Sequence, residues 1–319
     1  MYTDKKVLLI AGGGTLGTYV AKELLRLGCF VDVICPEDKV SDHARLRFHQ
    51  NYATNDFLKD LFRENHYHGI VNFLHYTDVE DYKEIYPLLI ENTDHLIFLS
   101  SYRVYADEQH PITETAPRLY DVLTDKDFLE NETYAVPKSK CEDFLTRECT
   151  GDAWTIVRPV ISFSSRRLDL LLYSGRAPLR YAEEGKEMLL PETVRDYSAG
   201  IDWAGNSGKL IANLLFKPDA MGEIFTIYSG HGLTWGEVAD IYADLTSVKI
   251  RWCSEEEYVD SVATLKTLKE HQFMWKYDRK FNRQIDPAKV LTVTGLGKED
   301  FESVYHGLCT ELAILKENS

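Results

Sequence analysis

No stretch of this 319-residue chain is apolar for long enough to cross a bilayer. About 20 apolar residues are needed, and the run VLLIA at 7–11 ends at a block of glycines. Positive charge is scarce as well. Lys and Arg number 36 against 51 Asp and Glu, a formal net charge of −15. That balance argues against a nucleic-acid partner, which would need clustered cations, and leaves room only for a local basic cleft holding a small anionic ligand. The six cysteines, Cys29, Cys35, Cys141, Cys149, Cys253 and Cys309, form no C-x-x-C pair and no metal-ligand spacing. Reduced thiols and no metal are expected. Nothing resembles a secretory signal, and internal repeats and low-complexity tracts are missing, so the expectation is a cytoplasmic protein. With 44% hydrophobic residues the chain can bury a large core and form two lobes.

What the chain does have is a glycine turn near its start. In VLLIAGGGTLG at 7–17, five apolar residues run into Gly12, Gly13 and Gly14, and Gly17 follows as a helical pattern begins with Val20, Leu24 and Leu27. This reads as strand, tight turn and helix. Such a turn lets a pyrophosphate approach the backbone at a helix N-terminus, so the implied ligand is a dinucleotide; the alternative is a loop that only joins strand to helix. A second strand, FVDVIC at 30–35, should end in an acid that binds the adenosine ribose. Its end is Cys35, followed by Pro36 and Glu37. NAD is therefore not singled out over NADP. Lys39, His43, Arg45 or Arg47 would either meet the extra phosphate of NADP or remain solvated loop charges.

Further along, the pattern predicts a short helix at 57–62, a strand at 69–74 ending in His75 and Tyr76, and a helix at 82–91. A strand at 95–99 then delivers Ser100, Ser101, Tyr102 and Arg103. A surface connection at 107–127 precedes a helix at 134–148 and a strand at 154–159. Residues 160–195 are irregular, 202–216 read as a helix and 223–228 as a strand. Thr234 and Glu237 have capping-box spacing at the head of another helix, and the tail from 254 is mainly helical. The fold expected is α/β: a Rossmann-type doubly wound parallel sheet over 1–160, with 200–228 returning to it. A smaller, mainly C-terminal substrate-binding lobe is expected from 161–199 and 229–319.

Chemistry is suggested by Tyr134 and Lys138, four residues apart and so on one helix face. A phenol titrates near 10, but a neighbouring ammonium favours the phenolate, which makes the pair a tuned acid/base. Lys138 can also hold the ribose of a nicotinamide cofactor. Ser101, at the end of an adjacent strand, can hydrogen-bond a substrate oxygen passing between alcohol and carbonyl. The spacing alone is weak, because Tyr2 and Lys6 share it; the order of the elements gives it meaning.

These features resemble an extended short-chain dehydrogenase/reductase of the NAD-dependent epimerase/dehydratase family. The resemblance rests on the glycine turn, LSSYRVYA at 99–106, PITET at 111–115, YAVPKSKCE at 134–142, VRP at 157–159, RDYSAGID at 195–202 and IDPAKV at 285–290. It implies Ser101, Tyr134 and Lys138 as catalytic residues. It implies a cofactor site at Gly12, Gly13, Gly14, Thr15, Leu16, Gly17, Cys35, Leu74 and His75 together with Tyr134 and Lys138. Substrate would meet Ser101, Tyr102, Arg103 and Arg195, the last either gripping the diphosphate of a nucleotide sugar or pairing with a nearby carboxylate. Partners implied are NAD or NADP, a small-molecule substrate such as a nucleotide sugar, and a second copy in a homodimer built on the helices at 82–91 and 134–148. Departures are Ala11 at the family's first glycine, Cys35 at its ribose acid, His75-Tyr76 for Ala-Ala, and the missing Asn-Val-x-Gly segment. Family dehydratases carry Thr-Asp-Glu where Ser101-Tyr102-Arg103 stand, which disfavours dehydration and leaves epimerisation or carbonyl reduction. Two other readings are an NADPH-dependent reductase of a non-nucleotide compound, and a non-catalytic dinucleotide sensor or RNA-associated relative of the plant chloroplast stem-loop binding proteins, whose tails resemble residues 277–295.

Overall fold

The computed structural model describes residues 2–262 and 272–317. Short apolar runs make the strands: β1 (Lys6–Ile10), β2 (Phe30–Cys35), β3 (Leu46–Gln50), β4 (Gly69–Asn72), β5 (Leu96–Leu99), β6 (Trp154–Pro159) and, later, β10 (Glu223–Ile227). They form one seven-stranded sheet in the order β10-β6-β5-β4-β1-β2-β3, parallel throughout. A strand covered on both faces must be apolar at nearly every position. In β1, Val7 and Leu9 enter one hydrophobic layer, and Leu8 and Ile10 enter the other.

The first layer is closed by α1 (Thr15–Arg26), α8 (Ala204–Leu214) and the helix Ala288–Thr294. The second is closed by α2 (Asn55–Glu64), α3 (Val79–Ile90) and α6 (Ala135–Asp143), which continues into a π-turn at Phe144–Glu148. The strand order reverses between β1 and β4, so the carboxyl ends of β1, β4 and β5 open into the crevice where ligands bind in such sheets. The doubly wound parallel sheet expected from the sequence is present.

A second hydrophobic cluster organises the other lobe. Phe163, Met188, Leu190, Trp235, Tyr242, Tyr258, Trp275 and Leu308 are buried together there. Two small parallel sheets support it: β7 (Ile161–Phe163) beside β9 (Ile201–Trp203), and β8 (Glu187–Pro191) beside β11 (Lys249–Cys253). The helix α9 (Trp235–Thr246) begins with the reciprocal capping box of Thr234 and Glu237.

Several expectations change. β3 lies where the sequence suggested no element: LRFHQ is an edge strand whose alternating polar residues hide its pairing with β2. Residues 201–203 form β9 before the helix starts. The tail also divides, since Val290 and Phe301 pack with α8 and β10 in the sheet's own core instead of in the second lobe.

Candidate active site

The site begins where β1 ends. Gly17 lies in the first turn of α1, and a Cβ built on it would stand 2.2 Å from the carbonyl oxygen of Gly12, so only glycine lets the turn close on the helix. Gly14, the N-cap, makes no side-chain cap and faces open space, since nothing lies within 4 Å of a Cβ placed there. The first N–H groups of α1 are thereby left for a ligand. Thr15 Oγ1 and Ser164 Oγ, 2.9 Å apart, tie this turn to the second lobe.

Ala11 departs from a glycine pattern at a place where the backbone is left-handed, with φ at 54°. A side chain there costs about 1 kcal/mol, and glycine relieves it while adding entropy to the unfolded chain. Ala11→Gly is expected to stabilise the fold by up to about 1 kcal/mol in chemical denaturation; a loss exceeding that amount would show that the methyl group packs usefully.

At the end of β2, Cys35 is buried, and its thiol is held above its usual range by burial. Two cations converge beside it: Lys39 Nζ at 2.6 Å and Arg166 Nη1 at 2.9 Å both donate to the Gly13 carbonyl. Lys39, in the loop after β2, is thus tied to the glycine turn by a hydrogen bond.

The second part of the site is built by β5 and α6. Ser100 continues β5, its N–H donating to Val157 O at 2.8 Å, and Ser101 caps a 3-10 turn, accepting the Arg103 N–H on Oγ at 3.2 Å. Tyr134 is the N-cap of α6, and the Lys138 N–H closes the first turn onto the Tyr134 carbonyl at 3.2 Å. The predicted one-turn relation survives although the helix starts one residue later than expected. Lys138 is buried; its Nζ donates to Leu99 O at 2.6 Å and lies 5.2 Å from the Tyr134 ring centre. The Arg103 guanidinium lies 4.7 Å from the same ring, and His75 packs at 5.1 Å. Burial pushes the Tyr134 phenol up, but the charges of Lys138 and Arg103, hydrogen bonding from Ser101 and the charge of Arg167 together outweigh it and hold the phenol below its usual value.

A cavity of 390 Å³ joins the two parts. Gly14, Thr15, Leu16 and Gly17 line one end; Ser101, Tyr102, Arg103 and Tyr134 line the other, with Ser162, Arg167, Met274 and Arg279 from the second lobe. Gly12, Gly13 and Cys35 stand behind the turn, and Leu74 is outside the lining, its N–H bound to Asn72 Oδ1. His75 lines a neighbouring 260 Å³ cavity on the other side of Tyr134 and bonds to Thr133 O at 2.8 Å. Burial and Lys138 hold the His75 imidazole below its usual range. Arg195 is also outside the central cavity. It is 46% exposed, pairs with Glu192 at 3.3 Å and lies over Trp252 at 5.0 Å, the arrangement of the ion-pair alternative.

Two buried ionic networks brace the floor. Glu142 on α6 accepts from Ser100 Oγ at 2.5 Å, from Arg158 at 2.8 and 2.7 Å and from Arg118 at 3.1 Å. Asp278 is shared by Arg279, Arg283 and Arg103, the last at 3.3 Å. Sequence reading missed Arg279, Asp278 and the Glu142 cluster. A local signal existed for the cluster, since Glu142 and Arg158 stand inside YAVPKSKCE and VRP.

No protein-family profile and no curated protein matches the chain. Solved structures do. Across 99% of this chain and 94% of that one, it superposes on an epimerase from Methanothermobacter thermautotrophicus with a TM-score of 0.70 at 15% identity. The fold is that of the epimerases. The Bordetella bronchiseptica enzyme WbmG in complex with NAD and UDP gives 0.69 at 16% identity over 99% of this chain and 95% of WbmG. The Thermotoga maritima UDP-glucose 4-epimerase with UDP-glucose gives 0.67 at 14%, over 98% and 99%. The epimerase fold therefore spans both lobes and the cavity between them.

Proposed function

We propose that the chain is an NAD(P)-dependent oxidoreductase of the nucleotide-sugar epimerase type, acting at a secondary alcohol or ketone with Tyr134 as acid and base. The observation that carries this reading is the Tyr134 phenol, flanked by Lys138 and Arg103 and lining a cavity whose far end is the open glycine turn. A dinucleotide fits the residues present. Gly14 and Gly17 leave the backbone accessible, the N-terminus of α1 lacks a side-chain cap, and Thr15 stands at the turn. The similar structures of WbmG bound to NAD and UDP, and of the UDP-glucose 4-epimerase with UDP-glucose, support the same reading. Cys35 in place of a ribose-binding carboxylate, with Lys39 and Arg166 beside it, admits NADP as well as NAD.

A bound nicotinamide supplies the hydride acceptor and donor. The protein's own residues handle the proton and the alignment. Tyr134, held toward phenolate by two cations, takes the hydroxyl proton as the alcohol carbon becomes a ketone and returns it when the alcohol re-forms. Ser101 Oγ, on the adjacent strand end, hydrogen-bonds the substrate oxygen through both states. Lys138, anchored on Leu99 O, keeps the phenolate compensated. Dehydration would need a further carboxylic acid and base, and the described residues lining the cavity include no Asp or Glu. The same reading includes a homodimer through α3 and α6 and a cytoplasmic location; no described helix is long and apolar enough to cross a membrane.

Identifying any nucleotide that co-purifies, then titrating NAD and NADP separately, tests the proposal. Saturable binding of one is expected. No binding of either at millimolar concentration would refute it.

A further inference from the structure

The central cavity has an unusual charge for so acidic a chain. Its described lining includes three guanidinium groups, Arg103, Arg167 and Arg279, and no carboxylate, although the whole chain carries a net charge of −15. Lys138 sits directly behind Tyr134 with a backbone carbonyl as its hydrogen-bond acceptor. The acids that reach these cations do so from outside the cavity. Asp278 is divided among Arg103, Arg279 and Arg283, Asp169 holds Arg167, and Glu132 approaches Arg103 at 3.6 Å. Counting Arg103, Arg167, Arg279, Arg283 and Lys138 against Asp278, Asp169 and Glu132 leaves five positive charges facing three negative ones.

Arg103 is the least satisfied of the three. Its Nε is buried without a hydrogen-bond partner among the described residues, lying 3.3 Å from Asp278 Oδ2 but not aligned for a bond. Its approach to Glu132 is also too long for one. By contrast Arg279 is tied down: Nε donates to Leu171 O at 3.0 Å and Nη1 to Tyr102 Oη at 3.3 Å. Nε is itself closed off from the cavity, but Arg103 lines that cavity and its guanidinium donates no hydrogen bond to any described residue, so its outer N–H groups are free to receive a planar anion. Its position fixes where that anion must be. Arg103 stacks on the Tyr134 ring, two residues beyond Ser101, so whatever it receives lies within about one sugar ring of the carbon that Tyr134 serves.

We propose that the substrate carries a carboxylate close to its reacting carbinol carbon, and that Arg103 receives it, with Arg279 and Arg167 completing a positive wall. This rests on the oxidoreductase reading for the identity of the reacting carbon. The carboxylate adds a specificity that the epimerase fold does not itself dictate. The two cations on Tyr134 then act differently, Lys138 serving the phenolate and Arg103 serving both the phenolate and the substrate.

The test uses the whole protein, with and without saturating NAD or NADP, in calorimetric titrations with two matched pairs: UDP-glucuronate against UDP-glucose, and glucuronate against glucose. In at least one pair the carboxylate-bearing member is expected to bind about 10- to 100-fold more tightly, the range of a charge-assisted hydrogen bond. Arg103→Gln should remove that preference by weakening the carboxylate member alone, and Arg103→Lys should keep part of it. Arg167→Gln, at a half-exposed position, should reduce the preference; Gln keeps a side-chain N–H for the buried Asp169 that Arg167 pairs with, and urea denaturation of the variant checks that it is folded. Equal or tighter binding of the uncharged members overturns the inference. So does an equal loss for both members in Arg103→Gln, or no binding of any member at millimolar concentration. Failure to bind either dinucleotide would instead count against the oxidoreductase reading, while the sugar pairs, measured without cofactor, still decide the carboxylate preference.

Discussion

Tyr134→Phe is expected to lower turnover by about 10²- to 10⁴-fold, the range for loss of a positioned acid/base, while leaving dinucleotide binding intact. The substitution removes one oxygen and keeps the ring between Arg103 and His75, so packing on α6 changes little. The pH dependence should carry the same signature. Activity that needs phenolate rises with pH, and because the phenol is held below its usual value of 10, the rise should be centred below 10. Lys138→Met or Arg103→Gln removes one of the cations and should move that limb upward. An unshifted limb in both variants would mean that another group titrates.

Glu142→Ala is the substitution with the largest expected effect on stability, a loss of about 3–5 kcal/mol. The Glu142 carboxylate is fully buried and pairs with the buried Arg158 and Arg118; truncation leaves Arg158 with no carboxylate partner among the described residues, whereas Arg118 keeps Asp121 and Asp143. That loss is a large part of the roughly 5–15 kcal/mol that keeps a domain folded. Ser100 also loses its acceptor, so the strand end that carries Ser101 should loosen. Urea denaturation of native and variant chains measures the effect, and a loss under about 1 kcal/mol would show that water or another acid takes over the role.

The pH dependence of stability follows from the same group. Burial pushes the Glu142 carboxyl up, but Arg158, hydrogen bonds from Arg158 and Ser100, and Arg118 hold it below its usual value. Asp278 is likewise lowered: burial raises it, and Arg279, Arg103 and Arg283 more than reverse that. A carboxyl lowered in the folded state contributes stability that is complete above the unfolded value, about 4.3 for Glu and 3.9 for Asp, and that is lost as pH falls through the folded value. Stability should therefore be insensitive to these groups near neutrality and fall below about pH 4. Glu142→Gln should flatten that acid limb.

Much of the fold was legible because the main sheet is written in short, nearly continuous apolar runs. β2 and β6 begin and end where the sequence places them, since each is covered on both faces and flanked by turn residues. β3 was not legible: it lies at the sheet edge, where polar and apolar residues alternate as they do in a loop. Within the site, Tyr134 and Lys138 could be paired from spacing, because one helical turn is a local relation. Arg279 could not be placed. It reaches the cavity from a segment 145 residues after Tyr134, brought there by packing of Trp275 and Tyr258 in the second lobe. The Glu142 cluster joins α6, β6 and a loop residue, so its meaning exists only once the chain is folded.

In the proposed reaction Tyr134 takes a substrate proton while a hydride leaves the same alcohol carbon. The most direct measurement loads the native protein and Tyr134→Phe with NAD or NADP, adds a panel of nucleotide sugars, and follows the near-ultraviolet absorbance of reduced nicotinamide. At least one sugar is expected to produce that absorbance in single turnovers of the native protein, before the alcohol re-forms, and the variant to form it at least about 100-fold more slowly. Equal rates in the two proteins, or no reduction by any sugar in a protein shown to bind the dinucleotide, would contradict it.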